Sequence, residues 1–419
     1  MKTFIFGAGA SIPFFDPVLS TSYLTSKILD DKEWKEVIDK YKSIKGRETI
    51  IADISLVLDL IETIKKLRPD ANFEEIAEVM DKLASYGFDK IPNHNMFNTI
   101  IWVMNTGFRP SNGNPFGYEL AMIPFLLREI IAKSIIDLQN NHRSKEYDEL
   151  LSLQKDLISY VCQKDNKISV VSLNYDECVL KSLEGLGFEK GFKTNNERYL
   201  MQLDIVSFMK AQKVVYFPHG NLRFQFTDND NITYWSNANV AERERWIGLG
   251  ESGIGSTLTC LRGKFCYNYN TFISTGQTKE DGLNHLPYSI YYQRFGCDIF
   301  KSNSIYIIGY SFGDDHINRM LRSYIELSPE NKIYIIDYYP KEVTGTEEYK
   351  DEKNFITKLY SVFGPEWGVM YNRDTQQTEP INPDAIQNIN SFGYGEIFKQ
   401  IILYKKGYYE FLKEFKNVI

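Results

Sequence analysis

Four short motifs in this chain pair glycines with side chains able to hold a proton, a water or a sugar hydroxyl. Gly7-Ala8-Gly9-Ala10-Ser11 follows the apolar run Lys2–Phe6. Its glycines permit a tight turn and let backbone N–H groups approach a phosphate, while Ala10 keeps the approach open and Ser11 adds a donor. Ile12 stands where a full dinucleotide fingerprint has its third glycine, so a plain strand-to-loop turn is an equal reading. Leu173-Asn174-Tyr175-Asp176 closes a second apolar run, 168–173. Asn174 or Asp176 suits the cap of the next helix, and the Asn174 amide equally suits a ligand at a sheet edge. Pro218-His219-Gly220-Asn221 follows 214–217. His219 is either a turn histidine or a base near neutral pH, with Gly220 leaving room for a ligand beside the imidazole. Gly309-Tyr310-Ser311-Phe312-Gly313-Asp314-Asp315-His316-Ile317 follows Ser304–Ile308. Gly309 and Ser311 suit contact with a ribose or phosphate, and Asp314 and Asp315 suit the first turn of a helix, where negative charge complements the dipole.

Each motif is weak alone, but all four terminate an apolar run. In a parallel sheet those ends share one edge, which is the ligand crevice. Short apolar strands at Lys2–Phe6, 168–173, 214–217, Ser304–Ile308 and Lys332–Ile336 alternate with helical segments at 177–186 and 317–327. That pattern predicts an α/β fold with a Rossmann-like parallel sheet covered on both faces. Between the first and second strands the periodicity is helical: Ile50, Ile54, Leu58 and Ile61, then Ile76, Val79, Met80 and Leu83, then 120–138. The expected division is a core of 1–20 and 165–340, a large helical insertion at 21–164, and a C-terminal extension at 341–419 ending in an aromatic-rich helix over 397–415.

The 419 residues exceed one ordinary domain, and 43% hydrophobic with 25% charged residues is the balance of a globular protein. A formal net charge of −7 argues against direct nucleic-acid binding, which needs a basic footprint. With 28 Tyr and 27 Phe, aromatic residues exceed core needs and point to protein–protein contacts, hence to a homo-oligomer. The five cysteines (Cys162, Cys178, Cys260, Cys266, Cys297) contain no CxxC pair, so a reducing cytoplasm is expected and neither disulfides nor a four-thiolate zinc site is. No run approaches the roughly 20 apolar residues of a membrane span, and the start is too short an apolar run for a signal peptide.

The ordered set Gly-Ala-Gly-Ala-Ser at 7–11, Asn-Tyr-Asp at 174–176, His-Gly at 219–220 and Gly-Tyr-Ser-Phe-Gly-Asp-Asp-His-Ile at 309–317 resembles the sirtuin superfamily, especially its bacterial sirtuin-like branch. The resemblance implies NAD as substrate, with Gly7, Ala8, Gly9 and Ser11 at the pyrophosphate and nearby ribose. Asn174 would face the nicotinamide ribose and position the attacking water, and His219 would contact that ribose as base or orienter. Gly309 and Ser311 would bind towards the adenosine end, and Asp176 matches the acidic residue of the family motif.

Deacylating sirtuins carry two CxxC pairs between the His-Gly and Gly-x-Ser motifs, forming a zinc module. That interval here holds Cys260, Cys266 and Cys297 with no CxxC, so no zinc is expected. Pro13-Phe14-Phe15-Asp16 stands where those enzymes often have Asp-Phe-Arg. These departures resemble the NAD-degrading effectors of bacterial anti-phage systems. The activity implied is hydrolysis of NAD to nicotinamide and ADP-ribose, held in check by assembly or by a partner such as a DNA-translocating ATPase. A non-catalytic NAD or ADP-ribose sensor and an NAD-dependent protein deacylase are the alternatives. A hydride-transferring dehydrogenase fits least, lacking the complete GxGxxG pattern.

Overall fold

The computed structural model describes residues 1–44, 54–88, 116–194, 200–226, 232–251, 258–261, 264–267, 272–274, 286–340, 355–363, 371–372, 377–378, 383–398 and 400–418. Its main sheet has seven strands: β1 (Lys2–Phe6), β2 (Ile168–Ser172), β3 (Lys213–Tyr216), β4 (Ser304–Ile308), β5 (Lys332–Ile336), β6 (Tyr394–Phe398) and β7 (Ile401–Tyr404). The order across the sheet is β6-β7-β5-β4-β1-β2-β3, parallel throughout except the edge strand β6. Every residue of β2 is buried, as are Phe4, Ile5 and Phe6 of β1, which is why these strands read as apolar runs rather than alternating ones. The order reverses between β1 and β4. That reversal is the topological switch point of a doubly wound sheet, where the loops after neighbouring strands part and leave a crevice.

The described chain between β1 and β2 is helical: α1 (Thr21–Ile28), α2 (Asp31–Lys42), α3 (Ile54–Leu67), α4 (Phe73–Phe88), α5 (Phe116–Asn141) and α6 (Tyr147–Lys164). Ile54, Leu58, Ile61, Ile76, Val79, Met80 and Leu83 fall on α3 and α4 as their spacing predicts, and 120–138 lies within α5; Ile50 lies outside the described residues. From Ile123 onward α5 is buried except along Lys133, Asp137, Asn140 and Asn141, the narrow polar stripe of an otherwise enclosed helix. Helix α6 carries Gln154, which donates to Ser182 Oγ at 2.7 Å and accepts from Tyr408 Oη at 3.0 Å, joining it to helices α7 (Cys178–Ser182) and α10 (Tyr408–Val418). Helices α8 (Tyr288–Lys301) and α9 (Asp315–Leu327) flank β4 in sequence.

Two secondary-structure expectations need correction. The helix predicted over 397–415 is instead strand β7 followed by α10, so the main sheet does not end near residue 340. Ile401-Ile402-Leu403-Tyr404 is a buried parallel strand whose short apolar run carries no period, and Gly407, at φ +93°, turns the chain into the helix. The helix predicted over 177–186 stops at Ser182, because Gly185 and Gly187 take φ of +80° and +74°. A separate four-stranded antiparallel sheet (Phe192–Thr194, Leu200–Leu203, Phe224–Phe226, Ile232–Trp235) flanks β3 in sequence and was not anticipated.

Candidate active site

The loops after β1, β2, β3 and β4 meet at a cavity of about 740 Å³. Gly7, Ala8, Ser11, Asn174, Asp176, His219 and Ser311 all line it. Gly9 and Gly309 do not. Their part is to bring two loops into backbone contact across the switch point. Gly9 N–H donates to the Gly309 carbonyl at 2.8 Å, and Gly7 N–H to that of Ile308 at 2.9 Å. A Cβ on Gly309, which sits at φ +61°, would stand 2.2 Å from Ala10 N; one on Gly7 would stand 2.6 Å from Gly309 O. Only glycines fit this approach.

The 7–11 loop is a 3-10 turn over Ala8–Ala10. Its Gly7, Gly9, Ala10 and Ser11 amides are all bonded to carbonyls, which differs from a phosphate cradle built on the whole loop; Ala8 is exposed at the cavity. Ser11 is 2% exposed and faces inward. Its Oγ donates to Asp176 Oδ2 at 2.5 Å and accepts from Asn174 Nδ2 at 2.7 Å. The same Asn174 nitrogen donates to the Gly7 carbonyl at 2.8 Å. Asp176, one residue before the N-cap of the next helix, also accepts from Cys178 N–H at 2.9 Å, so one carboxylate serves both the helix start and the site. Ser11, Asn174 and Asp176 form a closed corner between the ends of β1 and β2, with both Asn174 amide hydrogens in use. The Asn174 side-chain oxygen is the acceptor that remains for a ligand or water.

His219 is buried, 3% exposed, with Nε2 3.7 Å from Asp314 Oδ1. Its ring centroid lies 6.4 Å from that of His316, whose Nε2 is 2.9 Å from Tyr292 Oη. The space beside Gly220 is not a ligand's. A Cβ there would stand 2.2 Å from the Phe272 carbonyl, at φ +97°, so this glycine admits the 272–274 segment rather than a substrate. Asn221 N–H donates to Phe272 O and Ser274 N–H to His219 O, both at 2.8 Å, and Tyr175 Oη donates to Ser274 O at 2.9 Å.

The loop after β4 exposes Ser311 and buries Phe312 at φ +56°, a left-handed conformation strained for a bulky side chain and typical of ligand-binding turns. Tyr310 Oη accepts from Asp314 N–H at 3.0 Å, and Asn318 Nδ2 donates to Phe312 O at 2.9 Å, holding the strained turn against α9. Asp314 takes the N-cap position of α9 without a side-chain capping bond, and its carboxylate lines the cavity near His219.

Two contributions were not legible as site residues. Helices α1 and α4 supply a wall, including Thr21, Leu24, Phe73, Glu74 and Glu78, and Lys358 lines the cavity from Phe355–Phe363. Nothing in their local sequence marks them, because their role comes from packing over the sheet edge. Asp337, at the end of β5 on that edge, has its carboxyl pushed up to about 6 by burial, opposed by the Tyr338 N–H. Among the described residues no three His, Cys, Asp or Glu side chains gather as a metal site, and no helix is long and apolar enough to cross a membrane.

A doubly wound α/β sheet thus brings Asn174, His219 and Ser311 around one crevice at its switch point. Residues 168–359 match the model of the SIR2-like domain, and SIR2-like domains bind NAD. The match includes Asn174, Asp176, His219, Gly309 and Ser311. The 7–11 loop precedes it, but β1 pairs with both β2 and β4. No curated protein matches the chain.

Proposed function

We propose that this protein hydrolyses NAD between nicotinamide and ribose. The observation that carries the reading is one cavity at the switch point, of a size suited to a small-molecule ligand, shared by Ala8, Asn174, His219 and Ser311. Nicotinamide leaves NAD as a neutral group without prior protonation. The demand on the site is therefore to stabilise positive charge on the ribose and to hold a water against its anomeric carbon. Asn174, its amide nitrogen fixed by Gly7 and Ser11, presents its oxygen to orient that water. His219 accepts from a ribose hydroxyl, with Asp314 beside the imidazole as its orienter. Acidic side chains of the cavity, Glu74, Glu78 and Asp176 among them, complement the cationic ring and the oxocarbenium-like ribose. Ala8 and Ser311 take the phosphate and adenosine side, Gly9 and Gly309 act by shaping the loops, and Asp176 holds Ser11.

The chain is further proposed to be a regulated effector of anti-phage defence, working as a homo-oligomer or with a DNA-translocating ATPase. Helices within 21–164 are the proposed control element, because α1 and α4 already wall the cavity. The test is NAD consumption by the purified chain beside Asn174→Ala and His219→Ala, with products separated by chromatography. Nicotinamide plus ADP-ribose from the parent alone is expected, and retained turnover in both variants would overturn the assignment. Tight NAD binding without turnover under activating conditions would mark a sensor, and nicotinamide release dependent on an acyl peptide a deacylase.

A further inference from the structure

The loop bearing His219 is held in place by two buried charged residues that are adjacent in sequence and belong to a helix outside the sheet. Arg128 and Glu129, 0% and 2% exposed, lie in the middle of α5 among apolar neighbours. Arg128 Nη1 and Nη2 donate to the two carboxylate oxygens of Asp81 on α4 at 2.9 and 2.8 Å, while Nε donates to the Ile273 carbonyl at 2.9 Å. Ile273 bridges to Gly220, and its neighbours Phe272 and Ser274 bond Asn221 and His219. Glu129 accepts from Arg245 Nε at 2.7 Å, and Arg245 Nη1 donates to the Leu222 carbonyl at 2.9 Å.

Two routes thus leave one turn of α5 and end on the loop 219–222 that bears His219. One passes through Ile273 to residues 219–221, the other through Arg245 to residue 222. Buried ion pairs are poor sources of stability compared with apolar packing. What these supply instead is direction: a forked guanidinium fixes a backbone carbonyl in a way an apolar side chain cannot. We propose that Arg128 and Glu129 are positioning residues for His219, so that the placement of α4 and α5 sets the imidazole at the cavity. The inference rests on the catalytic reading of His219.

The test uses the full chain. Arg128→Lys keeps a cation for Asp81 but loses the Nε donor to the Ile273 carbonyl. Glu129→Gln keeps the shape and loses the charge facing Arg245. Tyr175→Phe removes the hydroxyl on Ser274 without changing a charge, so it serves if either of the others fails to fold. The readouts are imidazole NMR signals of His219, assigned by their loss in His219→Asn, and kcat and KM for NAD. His142, which does not line the cavity, is the internal reference. The expected result is displaced or broadened His219 signals with His142 unmoved, and kcat lowered about tenfold with KM little changed. Parent-like His219 signals in the folded variants would overturn the proposal, whatever the turnover. Displaced signals with undiminished turnover would support the positioning role and overturn the catalytic reading of His219 instead.

Discussion

The corner of Ser11, Asn174 and Asp176 and the loop of His219 face the same cavity and are built by opposite means. In the corner the site residues hold one another: Ser11 Oγ joins Asn174 to Asp176, and Asn174 reaches back to the Gly7 carbonyl. All four sit within a few residues of the ends of the paired strands β1 and β2, so sheet register alone brings them together. The His219 loop is secured by groups distant in the chain, namely the 272–274 segment, Arg128 and Arg245. A corner that closes on itself is preorganised whenever the sheet is formed. A loop held from outside depends on the position of what holds it, and so offers a handle for control.

The sharpest way to break the externally held side is Gly220→Ala. Its Cβ would stand 2.2 Å from the Phe272 carbonyl, at a φ that side chains rarely adopt. We expect a loss of roughly 3 kcal/mol in denaturant unfolding. NAD affinity should persist, because the β1–β2 corner is untouched. Equal loss of binding and of stability would contradict the separation of the two sides.

Asn174→Ala strikes the corner. It removes the water-orienting oxygen and both donors to Gly7 and Ser11, and turnover should fall on the order of 100-fold. Ser11→Ala is gentler in chemistry but leaves buried Asp176 Oδ2 without its hydroxyl partner. Stability should fall by about 2 kcal/mol, measured as a shift in the denaturant midpoint at constant slope. The same substitution should lower kcat by freeing Asn174 while leaving His219 signals in place. Movement of those signals would mean that the two sides are coupled after all.

The contrast between the sides also governs what sequence can reveal. β1, β4 and β5 begin and end where their apolar runs do, because a central parallel strand buries most of its residues on both faces. Gly7, Asn174, His219 and Ser311 follow such runs directly, so the shared edge is legible from strand ends alone. The exchange of Ser11 towards Asp176 is not, since two residues 165 positions apart meet only through register. Gly220 is legible as a glycine with a purpose but not as one facing Phe272, and Arg128 reads as an interruption in an apolar helix. The 401–404 strand is missed for a related reason: a short apolar run fits helix or strand until a neighbour with free hydrogen-bonding groups is known.

The smallest predicted effect lies on the same sheet edge but in neither side. Burial raises the Asp337 carboxyl from 3.8 to about 6, although the Tyr338 N–H opposes the shift. A folded value above the unfolded one means that the group favours folding below pH ~4, when it is protonated in both states, and that this contribution fades as pH rises through about 6. Two pH units at about 1.4 kcal/mol each bound the effect near 3 kcal/mol, and the partial exposure of Asp337 brings the expectation to about 1 kcal/mol. Asp337→Asn keeps an acceptor for Tyr338 N–H and removes the titration. The variant should therefore gain about 1 kcal/mol over the parent at pH 7.5 and lose that advantage at pH 4.5, with His219 signals and the β1–β2 corner unchanged. A gain independent of pH would place its origin in packing. A gain at low pH alone would reverse the sign and show that the folded protein stabilises the carboxylate, with β5 supplying more hydrogen-bond donors to that edge than the Tyr338 amide.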